Sequence, residues 1–169
     1  MKIFPSKLPS YINRVDNKLS RGKLVYCPYN LYSMKQSGIT QIIDLRNTPS
    51  ITKYLEMFFC KILGIKYVNC RYPHRLNTLP EENFFQNINK LIINNDAKTY
   101  IHCQRGKRRT GVSVAYYEKN VMQLSQEEVL NNLVKQGYKD ININTKIGKK
   151  YCNILIEFID KYLPETKTI

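Results

Sequence analysis

Short β-branched runs alternate along this chain with longer stretches in which apolar residues recur at helical spacing. The runs at 39–45, 65–70 and 97–101 are too short for independent helices and predict buried parallel strands. A predicted helix separates each of these strands from the next. Such an alternation is typical of the α/β class, with a mostly parallel central sheet flanked by helices on both faces.

The segment from Ser50 to Gly64 carries a strong helical pattern. Ser50 suits the N-cap position because its hydroxyl can accept a hydrogen bond from the first turn, and Gly64 suits the helix stop. Seven apolar residues recur at helical spacing between them: Ile51, Tyr54, Leu55, Phe58, Phe59, Ile62 and Leu63. Spacing of this kind is typical of a helix with one apolar face.

Capping signals predict the limits of other elements. Pro80 suits the first position of a helix that has Glu81 and Glu82 in its first turn. Ser125 and Glu128 form a capping box, which predicts a helix ending near 136. Further helices are predicted over 31–37, from Thr110 onward and over 148–163. The remaining predictions are an irregular arm at 1–17, a short strand around 18–26 that breaks at Gly22, and a frayed tail at 164–169.

The length and composition indicate one folded domain. With 169 residues, 43 % of them hydrophobic, the chain can bury a sizeable core, and we expect a single domain over 1–169. Its net charge of +14 favours polyanionic partners such as phosphorylated substrates, nucleic acid or an acidic membrane surface. A basic but otherwise inert surface would give the same charge, and no nucleic-acid-binding motif accompanies it. Charge alone therefore does not choose among these partners.

The cysteines are scattered and show no C-x-x-C pair: Cys27, Cys60, Cys70, Cys103 and Cys152. This pattern argues against a zinc site and a secreted disulfide framework, so we expect no metal and a reducing compartment. Cys60 or Cys70 could serve Cys103 as a resolving thiol. The first residues lack the apolar core of a signal peptide, and no apolar run reaches the ~20 residues of a membrane span. We therefore expect a cytoplasmic monomer without a membrane span or a cofactor.

Residues 99–111 combine a short strand, a cysteine loop and the start of a helix. Backbone N–H groups of such a loop can converge, and together with the positive end of the following helix they favour a tetrahedral oxyanion. The same field would lower the pKa of a cysteine at the mouth of the loop, which makes Cys103 a candidate nucleophile. Arg109 can donate two parallel hydrogen bonds to phosphate oxygens, and Thr110 can hydrogen-bond the cysteine sulfur.

The run from His102 to Gly111 matches the signature H-C-x-x-G-x-x-R-[ST]-G without a gap. In this run the chain resembles the cysteine-dependent protein tyrosine and dual-specificity phosphatases. The resemblance implies a metal-independent phosphatase in which Cys103 forms a cysteinyl-phosphate and His102 orients the loop. The phosphate-binding residues it implies are Gln104, Arg105, Gly106, Lys107, Arg108 and Arg109. The alternative is a buried structural cysteine followed by an exposed basic loop.

The general acid is less evident than the nucleophile. The resemblance implies an Asp some distance before the cysteine, but residues 70–82 contain none. His74 lies in this region and can carry a proton near neutral pH, so it ranks first. Glu82 ranks second, because a helix amino terminus stabilises its charged form and so opposes acid duty. Asp44, which has a more structural context, and Asp140 follow.

A missing acid affects the choice of substrate. Phenolate and phosphate leave more readily than the alkoxide of serine or threonine, so we expect aryl phosphates or phosphoanhydrides, with phosphotyrosine in proteins as the leading substrate. The basic loop also resembles that of the plant and fungal atypical dual-specificity phosphatases, some of which cleave inositol pyrophosphates. The alternatives are an inositol polyphosphate or pyrophosphate substrate, an RNA 5′-phosphate substrate, and a non-catalytic phosphate-binding module. Three further arginines could line the same site: Arg46, Arg71 and Arg75.

Overall fold

Five strands and six helices are formed by the residues that the computed structural model describes, which are 10–73, 79–94, 96–136 and 146–163. The strands are β1 (Asn13–Arg14), β2 (Leu19–Lys23), β3 (Ile39–Asp44), β4 (Lys66–Asn69) and β5 (Lys98–Cys103). The helices are α1 (Pro28–Gln36), α2 (Ile51–Leu63), α3 (Glu82–Ile93), α4 (Arg108–Asn120), α5 (Gln126–Lys135) and α6 (Lys146–Tyr162). None of these described helices is both long enough and apolar enough to cross a membrane.

The strands form one sheet in the order β1-β2-β5-β3-β4. β2, β5, β3 and β4 pair in parallel, whereas β1 pairs antiparallel with β2. This order places β5 between β2 and β3, so that both of its edges are hydrogen-bonded. The predicted α/β class with a mostly parallel sheet is confirmed.

The chain divides into two compact units, and the first contains the whole sheet together with α1 and α2. This unit comprises residues 1–72 and 91–106. In its core, Leu31 and Met34 of α1 belong to the same buried cluster as Ile42 of β3 and Tyr100 of β5. Central parallel strands are covered on both faces, which is why most residues of β3 and β5 are buried, including polar ones such as Gln41 and Thr99.

The second unit comprises residues 73–90 and 107–169, and it contains α4, α5 and α6 with most of α3. Phe85 stacks on Tyr116 with ring centroids 5.1 Å apart, and it meets Phe158 and Tyr162 edge to face. The Tyr162 hydroxyl donates a hydrogen bond of 2.8 Å to the carbonyl of Pro80. Aromatic pairs of this geometry add to the burial energy that holds these helices together.

The predicted caps of two helices are confirmed. The Ser50 hydroxyl accepts a hydrogen bond from the backbone N–H of Lys53, and Gly64 ends α2 in the left-handed conformation with φ 64°. Ser125 and Glu128 form the predicted capping box at the start of α5. These signals act within a single helical turn, and so the local sequence is sufficient to predict them.

Two predictions near the amino terminus are wrong. β2 runs through Gly22 without a break, because the missing side chain admits the ring of Tyr100, whose hydroxyl would collide with a Cβ at this position. Residues 13–14 are not part of an irregular arm, since they pair with β2 as strand β1. Both corrections depend on contacts between segments that are distant in the sequence.

Two helix starts also differ from the prediction. α3 begins at Glu82 and not at Pro80, whose carbonyl accepts the hydrogen bond from Tyr162 described above. α4 begins at Arg108, before Thr110, so that Arg109 and Thr110 already lie in its first turn. The predicted tail at 164–169 lies outside the described residues.

The apolar spacing in α2 does not mark the buried face of this helix. Lys53, Glu56 and Cys60 are its buried residues. Ile51, by contrast, is 80 % exposed and Phe58 is 57 % exposed. The reason is that α2 turns its charged groups inward: Lys53 donates to Oδ1 of Asn69 in β4, and Glu56 pairs with Arg46.

Candidate active site

Cys103 is the last residue of β5 and is buried, with 4 % of its surface exposed. It lies opposite Lys23 of β2, while its neighbour His102 lies opposite Asp44 of β3. Two flanking strands therefore fix the backbone on which the cysteine stands. The position agrees with the carboxyl edge of a parallel sheet, where ligands of α/β proteins bind.

The loop that follows Cys103 rests against β2. Gly106 has a positive φ of 70°, and a Cβ on it would collide with the carbonyl of Gly22 and lie 2.7 Å from the backbone nitrogen of Lys23. The buried side chain of Arg21 donates a hydrogen bond of 2.9 Å from Nη2 to the Gly106 carbonyl. A residue other than glycine fits this place poorly, both sterically and in backbone conformation.

The basic residues of the loop differ in exposure. Gln104 and Arg105 are exposed, whereas Lys107, Arg108 and Arg109 are half-buried. The backbone N–H of Gly111 donates to the carbonyl of Lys107 at 2.7 Å, which closes the first turn of α4. The first-turn N–H groups of such a helix are the donors that an oxyanion can bind.

Thr110 has an environment of its own in this first turn. Its side chain is fully buried, and its hydroxyl has no hydrogen-bond partner among the described residues. A buried hydroxyl without a partner is costly, since most such groups are satisfied. The hydroxyl of Thr110 therefore keeps unused capacity for a hydrogen bond.

Behind the cysteine, His102 belongs to a buried network of charges. Its Nε2 lies 3.0 Å from Oε1 of Glu56 in α2, and its Nδ1 lies 3.3 Å from the carbonyl oxygen of Cys103. Arg46 pairs with Glu56 through Nη2 and donates from Nε to Asp44 at 2.9 Å. The Tyr67 hydroxyl also donates to Asp44. Each of the four charged side chains is at most 2 % exposed.

The charges of this network determine one another. Burial alone would lower the pKa of His102, but the carboxylates of Glu56 and Asp44 outweigh it and raise that pKa. Burial alone would raise the pKa of Asp44, but hydrogen bonds from Arg46 and the charge of His102 hold it below its usual range. With His102 protonated, two carboxylates face two cations, so the network is neutral as a whole.

Asp44, Glu56 and His102 are also groups of the kind that ligate metals, and one ligand atom of each lies within 4.8 Å of the others. The guanidinium of Arg46, however, already pairs with both carboxylates. A metal ion bound by Asp44 and Glu56 would compete with Arg46 for these two carboxylates. They are the acidic partners of this buried arginine in the network. The cluster therefore fits an ion-pair network better than a metal site.

The candidate acids are distributed unevenly. His74, which ranked first, lies outside the described residues, as do Asp140 and Arg75. Glu82 accepts a hydrogen bond of 2.8 Å from the hydroxyl of Tyr116, and burial together with Glu82 raises the pKa of that tyrosine to about 12. Asp44 belongs to the network behind His102, which agrees with a structural role.

The other arginines and cysteines have identifiable places. Arg46 pairs with acids in place of lining a site, and Arg71 is exposed with Nε 3.4 Å from Oδ1 of Asn69.

Burial raises the pKa of Cys60 to about 12 and also raises that of Cys70. A higher pKa leaves less thiolate, so neither thiol is well suited to attack a disulfide or sulfenic acid on Cys103.

Sequence reasoning missed Arg21 and Glu56. Arg21 lies in β2, far from the loop in sequence, and only strand pairing brings it to Gly106. Glu56 is the one acid among the residues of α2, and it shares a helical face with Lys53 and Cys60. A charged pair at helical spacing inside an apolar helix was the signal that could have indicated a buried polar contact.

Residues 30–150 match a family model described as "DSP-PTPase phosphatase fused to NAD+ Kinase". No curated protein matches the sequence. Among solved structures, the core catalytic domain of the PP-IP phosphatase SIW14 from S. cerevisiae is 16 % identical with a TM-score of 0.66, over 94 % of this chain and 98 % of that one. TpbA from P. aeruginosa, solved in complex with pTyr, is 10 % identical with a TM-score of 0.64, over 86 % of this chain and 90 % of that one. PTPMT1 is 18 % identical with a TM-score of 0.66, over 90 % and 96 %.

Proposed function

The chain belongs to this DSP-PTPase family of cysteine-dependent phosphatases, and we propose that it hydrolyses phosphate monoesters through a cysteinyl-phosphate intermediate, with phosphotyrosine as its leading substrate. The observation that carries the proposal is the position of the complete signature. Its cysteine ends a central strand, its glycine lies against β2 where a side chain does not fit, and its arginine falls in the first turn of α4.

In the proposed reaction, Cys103 attacks phosphorus and the leaving oxygen departs from the opposite side. Arg109 and the N–H groups of the loop hold the remaining phosphate oxygens while charge is redistributed. Water then hydrolyses the cysteinyl-phosphate and releases inorganic phosphate. The two displacements replace one more difficult step, and they need no metal ion.

Two residues support the nucleophile in this proposal. The buried hydroxyl of Thr110 makes no hydrogen bond to a described residue, and in this proposal it donates to the cysteine sulfur only as the sulfur departs in the second step. His102 positions the carbonyl of Cys103 and is itself fixed by Glu56. It acts through the backbone and not as a base.

We retain His74 as the proposed general acid. Glu82 is less suited, since its carboxylate already accepts a hydrogen bond from the hydroxyl of Tyr116. An imidazole can donate a proton near neutral pH. A weak acid of this kind favours leaving groups such as phenolates over the alkoxides of serine and threonine.

An inositol polyphosphate or pyrophosphate is the second candidate substrate. Arg105 is exposed, and Lys107 and Arg108 are half-buried beside it in the sequence, so the loop offers more positive charge than a single phosphate needs. A relative in structure, SIW14, is described as a PP-IP phosphatase. A phosphate leaving from a pyrophosphate also needs little protonation.

The assay compares the wild-type protein with Cys103→Ser in the presence of a metal chelator. The substrates are a phosphotyrosine peptide, the matching phosphoserine peptide, inositol polyphosphates and 5′-triphosphate RNA. We expect vanadate-sensitive turnover of phosphotyrosine and none by Cys103→Ser. Activity that survives in Cys103→Ser would overturn the mechanism. Faster turnover of inositol phosphates than of phosphotyrosine would move the assignment to the second candidate substrate. Binding without turnover would indicate a phosphate-binding module.

His74→Ala tests the acid separately. Rates are measured on aryl phosphates that differ in the pKa of the leaving phenol. We expect the variant to lose roughly 10²-fold on poor leaving groups and little on good ones, because only the poor ones need a proton. An equal loss across the series removes His74 from this role.

A further inference from the structure

The solvent side of α2 is almost entirely apolar. Six large hydrophobic residues are exposed along its length, at 38–80 % of their surface: Ile51, Tyr54, Leu55, Met57, Phe58 and Ile62. The helix buries its polar residues Lys53 and Glu56 instead. Exposed apolar residues are common singly, but a row of them along one helix marks a surface that binds something.

The charges near this apolar face are positive. Lys61 is exposed on α2 itself, and Lys66 is exposed on β4, the strand that follows α2 and forms the edge of the sheet. Lys35 of α1 reaches the carbonyl of Gly64, at the end of α2, with 3.2 Å between the two atoms. The face is thus bordered by lysines at its carboxyl end.

Acidic residues do not balance these lysines. The first unit contains four acids in its sequence: Asp16, Asp44, Glu56 and Asp96. Asp44 and Glu56 are fully buried and paired with Arg46. Asp16 accepts backbone hydrogen bonds in the turn before β2, and Asp96 precedes β5. Glu56, which is buried, is thus the one acid of α2, and β4 carries none.

We propose that the apolar face of α2 docks on an anionic lipid bilayer. An apolar helix face bordered by lysines is the pattern of helices that lie in the plane of a membrane surface. Tyr54 and Phe58 would enter the boundary between headgroups and acyl chains, where aromatic rings are favoured. The lysines would contact anionic headgroups, each contributing to the attraction.

Charge also decides between a bilayer and a second copy of this chain. Two copies paired through α2 would place the lysines of both copies in one interface, with no exposed acid on either helix to compensate. The chain as a whole carries a net charge of +14, which opposes self-association further. An anionic surface satisfies both the apolar residues and the lysines.

Vesicle flotation tests the proposal with Phe58→Glu, whose site is exposed and outside the residues assigned to the phosphatase reaction. The vesicles contain phosphatidylcholine alone or phosphatidylcholine with phosphatidylserine. We expect the wild-type protein to bind the mixed vesicles more tightly, and Phe58→Glu to bind them at least about tenfold more weakly. Ile156→Glu is the matched control, because Ile156 is 55 % exposed on α6 and the change in charge is the same.

Three outcomes would overturn the proposal. The first is that the wild-type protein shows no preference for anionic vesicles, and the second is that Phe58→Glu and Ile156→Glu lose vesicle binding equally. The third is a wild-type dimer in sedimentation equilibrium that Phe58→Glu dissociates, which would assign the face to a second copy. Phosphatase activity on a soluble aryl phosphate should be the same for Phe58→Glu and wild type. This activity also shows that the variant is folded, and it separates the docking test from the test of catalysis.

Discussion

Gly106 is the position at which the loop and β2 come closest. The backbone of Gly106 is left-handed, and its missing side chain leaves room for the carbonyl of Gly22. The side chain of Arg21 holds the carbonyl of Gly106 in place through a hydrogen bond. Three constraints therefore act on one residue. The conformation of the whole loop depends on this contact.

Gly106→Ala is expected to lower kcat/KM on an aryl phosphate by roughly 10²-fold, because the loop must move away from β2 and its N–H groups lose their alignment. Gly64→Ala is the control. Gly64 has nearly the same φ, 64°, but no atom within 4 Å of a Cβ built on it. It should cost about 1–2 kcal/mol of unfolding free energy without a loss of activity. Equal activity losses in both variants would contradict the role given to Gly106.

Local residues explain why much of the site is predictable from sequence. The signature from His102 to Gly111 is contiguous, so its strand, loop and helix can be read directly. Arg21 and Glu56 are different, since strand pairing brings one to the loop and helix packing brings the other to His102. Nothing in their immediate neighbours specifies these partners.

Among the elements, α2 departs furthest from its sequence pattern. Its apolar spacing predicted an inward face, but the helix turns Glu56 inward to Arg46 and His102. A buried carboxylate is retained only when cations compensate it.

Strand order has a similar origin: β3, β4 and β5 are recognisable from their apolar runs, but the insertion of β5 between β2 and β3 depends on pairing that no single run encodes.

Glu56→Gln should destabilise the protein by about 3–5 kcal/mol, because it leaves a buried guanidinium and a buried imidazolium without their shared partner. Urea unfolding followed by circular dichroism measures this difference. Glu157→Gln, on the exposed surface of α6, should change the free energy of unfolding by less than about 0.5 kcal/mol. Similar small effects in both variants would mean that the network contributes little to stability.

At the scale of the whole molecule, the same network makes stability depend on pH. The pKa of His102 is raised in the folded protein. The contribution of His102 to the free energy of unfolding is therefore complete below about 6.5, the pKa of histidine in the unfolded chain. It is lost as the pH rises through the higher pKa of His102 in the folded protein. Asp44, whose pKa is lowered, acts in the opposite direction and loses its contribution only in acid.

We therefore expect the free energy of unfolding to fall as the pH rises above about 6.5, and His102→Gln to remove most of this decrease. Urea unfolding at a series of pH values measures it. The chain contains two histidines, so His74→Ala is a direct control that should keep the wild-type slope. A slope that persists in His102→Gln would assign the pH dependence to other groups.

The position of β5 also has a consequence for how the chain assembles. Its partners are distant in sequence, with Leu19 of β2 opposite Thr99 and Ile39 of β3 opposite Lys98. During synthesis, β2 and β3 emerge well before the strand that joins them, and their facing edges stay open until it arrives. Such long-range pairing slows folding, and open edges invite pairing with other chains. Insertion of the strand that carries Cys103 is thus the step that closes the open edges of β2 and β3, so a nascent chain loses these aggregation-prone edges only when Cys103 is in place.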